Sequence, residues 1–357
     1  MRTAPTPGDP VVLKVGSSSL TFPGGGVDPA AIERVAGMVA RCWAAGFPTV
    51  LVTSGAVATG LPILGFEQRP KGLADYQVAA AVGQSRLMGH YADALAVHGL
   101  IGGQVLLTKD VLANRQQYLH SRQALLKMLE LGIVPVINEN DIIVVDELKY
   151  GDNDRLAAIV SHLVSAQLMV LLTDTAGIYT DDPRRAEDAE LLSAVRHTDQ
   201  ILDAVSAGAS GPLGSGGIAT KVAAARMAAW SGIPTVIGPA ARTDVMEEIL
   251  AGNDIGTWVA PHPSGLSARK LWIAFGLPSE GSVTIDRGAE EAIRRAGRSL
   301  LGVGVKATHG AFEAGRAVEV LNVDGDLIAK GIVRYGADTL ATASGELIHR
   351  DDLVLLV

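Results

Sequence analysis

An α/β fold with a mainly parallel sheet, followed by a small and mostly β domain, is predicted by three observations. Short apolar runs alternate with helix-length stretches through residues 11–260, the order that builds a parallel sheet with helices on both faces. Aromatic residues are only 4% of the chain while hydrophobic residues are 48%, so the core must be mostly Ala, Val, Leu and Ile. That composition suits buried parallel strands under Ala-rich helices. Near residue 260 the pattern changes to short strand-like runs separated by turn signals.

Taken in order, Met1–Pro10 is rich in Pro and Gly and is expected to be a disordered lead. Val11–Val15 is a strand ending in Gly16-Ser17-Ser18-Ser19. Asp28 and Pro29 suit the cap and first position of a helix that runs to about Ala45 and closes at Gly46. Thr49–Thr53 is the next strand, leading into Ser54-Gly55, and a long helix is expected over Asp75–His98. Further strands are expected at Ile101–Leu107, Ile133–Ile137, Leu168–Leu172 and Pro234–Ile237, with helices at Arg115–Glu130, Arg155–Ser165 and Lys221–Trp230. Residues 11–260 thus read as one domain, 261–279 as a linker around Pro261-His262-Pro263, and 280–357 as a β-rich domain with one helix over Ala289–Ala296.

Charge and cysteine content narrow the function. The net charge of −8 argues against nucleic acid or an anionic membrane surface as the main partner. In residues 280–357 nine Lys/Arg stand against twelve Asp/Glu, a poor electrostatic footprint for RNA. A single cysteine, Cys42, rules out an intrachain disulfide and points to reduced cytoplasm. It reads as a small buried apolar residue. The longest apolar runs are strand-length, far short of the ~20 residues of a membrane span.

The polar residues cluster where the strands end, which is where ligands bind in such sheets. Lys14 closes an apolar strand, and a buried ammonium calls for an anion. The small-residue turn after it could surround a phosphate with backbone N–H groups, although the order is not that of a Walker A loop. Gly211–Lys221 packs three glycines into four residues before a helix start with Lys221 in its first turn, a geometry suited to polyphosphate. Asn138-Glu139-Asn140-Asp141 follows a strand, and Gly151-Asp152-Asn153-Asp154 precedes a helix. Each could be a turn or a cap; neither has EF-hand spacing, and no His/Cys cluster accompanies them. Beside phosphate-binding features they could recognise a substrate ammonium or support a magnesium nucleotide. Thr173-Asp174 ends another strand, and Ser54-Gly55 sits at a strand-to-helix junction that could receive a carboxylate.

In sequence order these pieces resemble the amino acid kinase family. The resemblance rests on Val12-Leu13-Lys14-Val15-Gly16-Ser17, Val52-Thr53-Ser54-Gly55-Ala56, Gly214-Ser215-Gly216-Gly217 with Thr220-Lys221, and Thr173-Asp174 with Gly177 to Arg184. Leu13-Lys14-Val15 departs from a commoner Val-Lys-Leu order but keeps the lysine on its strand. Ala79–Leu87, Gln104–Thr108, Val134–Asp141 and Gly151–Asp154 are similar to the branch of that family that phosphorylates glutamate, and the C-terminal stretch resembles a PUA domain.

The resemblance implies a three-layer sandwich with a PUA-like barrel, and ATP with Mg²⁺. The acceptor it implies is the side-chain carboxylate of L-glutamate, in the first step of proline biosynthesis. Lys14 and Lys221 would neutralise the transferring phosphoryl group, with Asp154 organising them. Thr173, Asp174 and the loop Ser215, Gly216, Gly217, Ile218, Ala219, Thr220, Lys221 would hold ATP, together with Lys14. Ser54, Asp141 and Asn153 would bind glutamate. A homo-oligomer, feedback inhibition by proline and a downstream glutamyl phosphate reductase are further expectations of the resemblance. Sister kinases of acetylglutamate, aspartate, carbamate or UMP share the phosphate motifs, and a non-catalytic amino-acid sensor is a third reading.

Overall fold

The computed structural model describes residues 2–22, 25–112, 114–143, 152–184, 186, 188–208, 217–263, 265–340 and 345–356. It divides into two compact units, Met1–Gly265 and Leu266–Val357.

In the first unit the strands are β1 (Val11–Lys14), β2 (Thr49–Val52), β3 (Ile101–Leu107), β4 (Ile133–Glu139), β5 (Leu168–Thr173), β6 (Ala194–Arg196), β7 (Thr235–Pro239) and β8 (Thr257–Ala260). They form one sheet in the order β3-β4-β2-β1-β5-β7-β8-β6. The pairings from β3 to β7 are parallel; β8 runs antiparallel to β7, and β6 parallel to β8. The helices are α1 (Pro29–Ala44), α2 (Ala56–Ile63), α3 (Leu73–Ala96), α4 (Arg115–Glu130), α5 (Asp152–Val164), α6 (Ile201–Gly208), α7 (Gly217–Trp230) and α8 (Val245–Leu250). The predicted α/β class and mainly parallel sheet are what the chain forms. Cys42 is buried in the α1 core, and burial pushes its thiol up to about 12, so it is inert near neutral pH.

Alternation along β1 decides where the chemistry lies. Val11 and Leu13 join the apolar cluster built with α1 and α3, including Val35, Leu87 and Tyr91. Val12 and Lys14 therefore face the opposite side, where α5 packs on β1. Register between β1 and β2 pairs Lys14 with Val52, and register between β1 and β5 pairs it with Leu171. β1 and β2 consequently end at one level, and β5 runs two residues further, to Thr173.

Two differences from expectation have plain causes. Residues 2–10 are held rather than loose. Arg2 donates to the carbonyls of Ser193, Asn253, Ile255 and Gly256 and pairs with Asp254. In the stretch expected to be a linker, residues 266–279 belong to the second unit. Ser267 caps a short helix there, and Leu271 and Ile273 are fully buried. That unit carries two sheets, one pairing Leu300–Leu301 with Glu346–Ile348 and one of five strands. Its core is Val283, Ile285, Val318, Ile328, Leu347 and their neighbours.

The strand-to-helix junction at Ser54-Gly55 opens α2, whose extent was not foreseen, because Gly60 and Pro62 lie inside it. Tertiary contact overrides that weak propensity. A Cβ on Gly83 of α3 would lie 1.8 Å from the Ala56 carbonyl oxygen, and one on Gly60 would lie 2.0 Å from that of Ala79. The two helices meet backbone to backbone at glycine. Gly83→Ala should therefore destabilise the protein by ~2 kcal/mol or more, through forced separation of α2 and α3. Gly89→Ala on the same helix, with nothing within 4 Å of its new methyl, should be neutral or stabilising by up to ~1 kcal/mol. Denaturant unfolding measures both; equal midpoints would reject the close contact as a constraint.

Candidate active site

A cleft of about 640 Å³ opens at the C-terminal ends of β1, β2 and β4. Lys14 ends β1 and is almost wholly buried, with its Nζ 2.6 Å from Asp154 Oδ1. Asp154 enters from the first turn of α5. Its other oxygen, Oδ2, accepts from Thr220 Oγ1 at 2.7 Å and lies 3.8 Å from Lys221 Nζ. Lys221 also donates to the Gly217 carbonyl at 3.3 Å. One buried carboxylate thus serves two ammonium groups, leaving a net positive charge facing the cleft. Burial, and next the charge of Lys14, lower the Lys221 pKa; Asp154 and Asp174 oppose the shift. An anion arriving between the lysines would find this excess charge uncompensated in a low-dielectric setting.

Asn153 organises the neighbouring wall. Its Nδ2 donates to the Thr53 carbonyl at 3.0 Å, to Ser54 Oγ at 2.9 Å and to Asn138 Oδ1 at 2.9 Å. Its Oδ1 is buried and has no hydrogen-bond partner among the described residues, an acceptor available for a donor group. Asn138 in turn donates to Gln84 Oε1 at 2.8 Å. Thr53 is braced from below by Tyr91, buried on α3, with the two hydroxyls 2.9 Å apart. Burial holds the Tyr91 phenol well above its ordinary pKa, so this hydroxyl stays neutral. The ends of β2 and β4 and the start of α5 are in this way tied together by side-chain amides.

The structure brings Lys14, Ser54, Asp141, Asn153, Asp154, Thr220 and Lys221 to this one cleft, with Gly217 at the start of α7. Thr173, Asp174, Ile218 and Ala219 are not among its lining residues. Thr173 ends β5, where its carbonyl accepts from Ala240 N; its hydroxyl lies 3.2 Å from Asp174 Oδ1. Asp174 pairs with Arg184. Ser215 and Gly216 lie outside the described residues. Sequence reasoning missed three contributors. Ala56–Ala58 put the first turn of α2 on the cleft wall, and Arg69 and Tyr76 line its rim. The first had a signal in Thr53-Ser54-Gly55-Ala56 after a strand; a lone arginine in a polar loop carried none.

Among the described residues no group of three or more His, Cys, Asp or Glu side chains is placed to hold a metal ion. Magnesium carried by nucleotide phosphates needs no such cage, since it keeps most of its waters and uses one or two carboxylates at most. No described helix is long and apolar enough to cross a membrane.

The PUA domain is matched at residues 281–350. Glutamate 5-kinase of Marinomonas sp. (strain MWYL1) is 42% identical, over 97% of this chain and 97% of that protein. Glutamate 5-kinase of Chromohalobacter salexigens is 44% identical over 97% and 96%, and that of Pseudomonas entomophila 41% over 100% of each. With residues 9–239 matching the model of the amino acid kinase family, the chain belongs to that family.

Proposed function

We propose that this protein transfers the γ-phosphoryl group of ATP to the side-chain carboxylate of L-glutamate, giving ADP and L-glutamyl 5-phosphate, the first step of proline biosynthesis. The observation that carries the reading is the pairing of Lys14 and Lys221 on one buried carboxylate, beside a wall of amide and hydroxyl groups from Asn153 and Ser54. Full-length similarity to glutamate 5-kinases supports the choice of acceptor.

The chemistry follows from charge. A carboxylate is ionised near neutral pH, so the nucleophile needs no general base. One of its oxygens bonds to the γ-phosphorus while the bond to the bridging oxygen breaks, and ADP leaves with that electron pair. The obstacle is repulsion between two anions. Lys14 and Lys221 offset it and stabilise charge on the transferring group, and Asp154 fixes their positions. The first turn of α7, which opens at Gly217, offers its N–H groups and dipole to the phosphates. Magnesium enters with ATP. Asn153 and Ser54 position glutamate, and Asp141 receives its ammonium group. Thr173 and Asp174 flank the nucleotide. The acyl phosphate product hydrolyses readily, which calls for prompt reduction by a partner enzyme; proline feedback, a homo-oligomer and a cytoplasmic setting complete the reading.

Trapping of the acyl phosphate with hydroxylamine tests the proposal. Hydroxamate should form with ATP, Mg²⁺ and L-glutamate, and not with acetylglutamate or aspartate. Signal with another acid instead, or with none, overturns it.

Lys14→Ala and Lys221→Ala should each lower kcat by on the order of 10²–10³. Asn153→Ala should instead raise the glutamate KM by roughly tenfold, the loss of about one good hydrogen bond to a charged group. Steady-state kinetics separates the two patterns, and near-normal turnover in both lysine variants sinks the mechanism.

The pH profile gives an independent check. With no base to titrate, kcat/KM for ATP should be level across neutrality. It should then fall on the alkaline side. Burial lowers the Lys221 pKa, so its charge is lost at lower pH than the ordinary 10.5 of free lysine. A rise through the histidine range would indicate a general base and contradict this account.

A further inference from the structure

The charged residues that line the cleft include a second set besides the lysines and Asp154. The phosphoryl end holds Lys14 and Lys221 about Asp154. The same cleft is lined by Arg69 and Tyr76, from the approach to α3 and its first turn, and by Glu139 and Asp141 after β4, whose charges act on Tyr76. A guanidinium and two carboxylates on one rim complement a zwitterion. The carboxylates suit an ammonium group, and the guanidinium suits a carboxylate in a two-pronged geometry that lysine cannot offer.

Arg69 is exposed, yet it is held in place. Its Nη2 donates to Tyr76 Oη at 2.9 Å, and its guanidinium carbon lies 4.9 Å from the centre of the same ring. One aromatic thus fixes the group by hydrogen bond and by cation–π contact. Tyr76 is itself half-buried. Burial and then the charge of Asp141 raise its pKa, so it stays a neutral phenol across the working range. Gln77, the next residue, donates to the Ile142 carbonyl at 2.9 Å, which ties the first turn of α3 to the segment following β4. The rim is therefore one braced unit rather than a loose loop.

We infer that Arg69, propped by Tyr76, ligates the α-carboxylate of the amino-acid substrate and selects a free α-amino acid over its α-amide. The inference rests on the glutamate reading proposed above and adds to it a specificity-determining residue. With the side-chain carboxylate drawn to the lysine end, the amino-acid head falls at the opposite rim. There its ammonium meets Asp141 and Glu139, and its carboxylate meets Arg69. A purely structural Arg69, one that only offsets the two rim carboxylates, would affect every ligand of the cleft alike.

Isoglutamine, the α-amide of L-glutamate, separates these cases because it keeps the reacting carboxylate and the ammonium group and lacks only the α-charge. The hydroxamate assay gives KM for glutamate and the inhibition constant of isoglutamine, for the wild type, Arg69→Gln, Arg69→Lys and Tyr76→Phe. In Arg69→Gln the glutamate KM should rise tenfold or more, the loss of a charge-assisted pair. The isoglutamine constant should move less than about twofold. Arg69→Lys should recover part of the loss, and Tyr76→Phe should show the same pattern with a smaller factor. If the two ligands shift equally, or neither shifts, Arg69 does not read the α-carboxylate and the inference fails while the glutamate reading stands. No hydroxamate from glutamate by the wild type overturns both.

Discussion

A single buried carboxylate organises the catalytic end of this molecule. Asp154 has almost no exposure to water, and neither does Lys14, so each would be costly to bury alone. Together they are tolerable, and Thr220 and Lys221 occupy the second oxygen. The arrangement joins elements far apart in the chain: the end of β1, the start of α5 and the start of α7. Taking away the carboxylate would leave two ammonium groups near each other with nothing between them, except when phosphate is bound. The cleft therefore carries an excess of positive charge that an anion would offset. The preorganised geometry of the cleft and the stability of the fold share one set of atoms here.

Around that pair the site is braced by neutral groups. The amides of Asn153, Asn138 and Gln84 pass hydrogen bonds from the β2 end to α3, and Tyr91 supports Thr53 from the core. Neutral donors and acceptors are well suited to this place. They fix geometry without adding charge that would compete with the lysines for the anion. They also leave one acceptor, Asn153 Oδ1, without a partner among the described residues. A buried polar atom left so costs folding free energy, and a ligand donor would remove that cost.

Much of the fold was legible because it rests on local pattern. Strands such as Ile101–Leu107 and Ala317–Leu321, and the helix Arg115–Glu130, lie where periodicity and turn residues place them. Lys14 stood out as a charge on an apolar strand, and Asp154 as part of a dense polar tetrapeptide. Their meeting was not legible from spacing, since it depends on β1 and α5 packing face to face. The extent of α2 beyond its junction at Ser54-Gly55 was hidden by Gly60 and Pro62, which are unfavourable alone and acceptable only against α3. β6 and β8 were too short and too polar at their flanks to be recognised. Arg69 gave no pattern at all; its place follows from the ring of Tyr76, seven residues on.

The alternation of β1 has a consequence for how this protein can change. Lys14 faces α5 only because it lies two positions, an even step, from Val12 on the same side of the pleat. Insertion of one residue within the strand would turn the lysine toward the apolar layer under α1 and turn Leu13 toward the cleft. Lengthening the connections between strands and helices leaves that parity untouched. Changes of loop length therefore leave the site's facing intact, while an insertion or deletion of one residue within a central strand carries a penalty of an all-or-none kind.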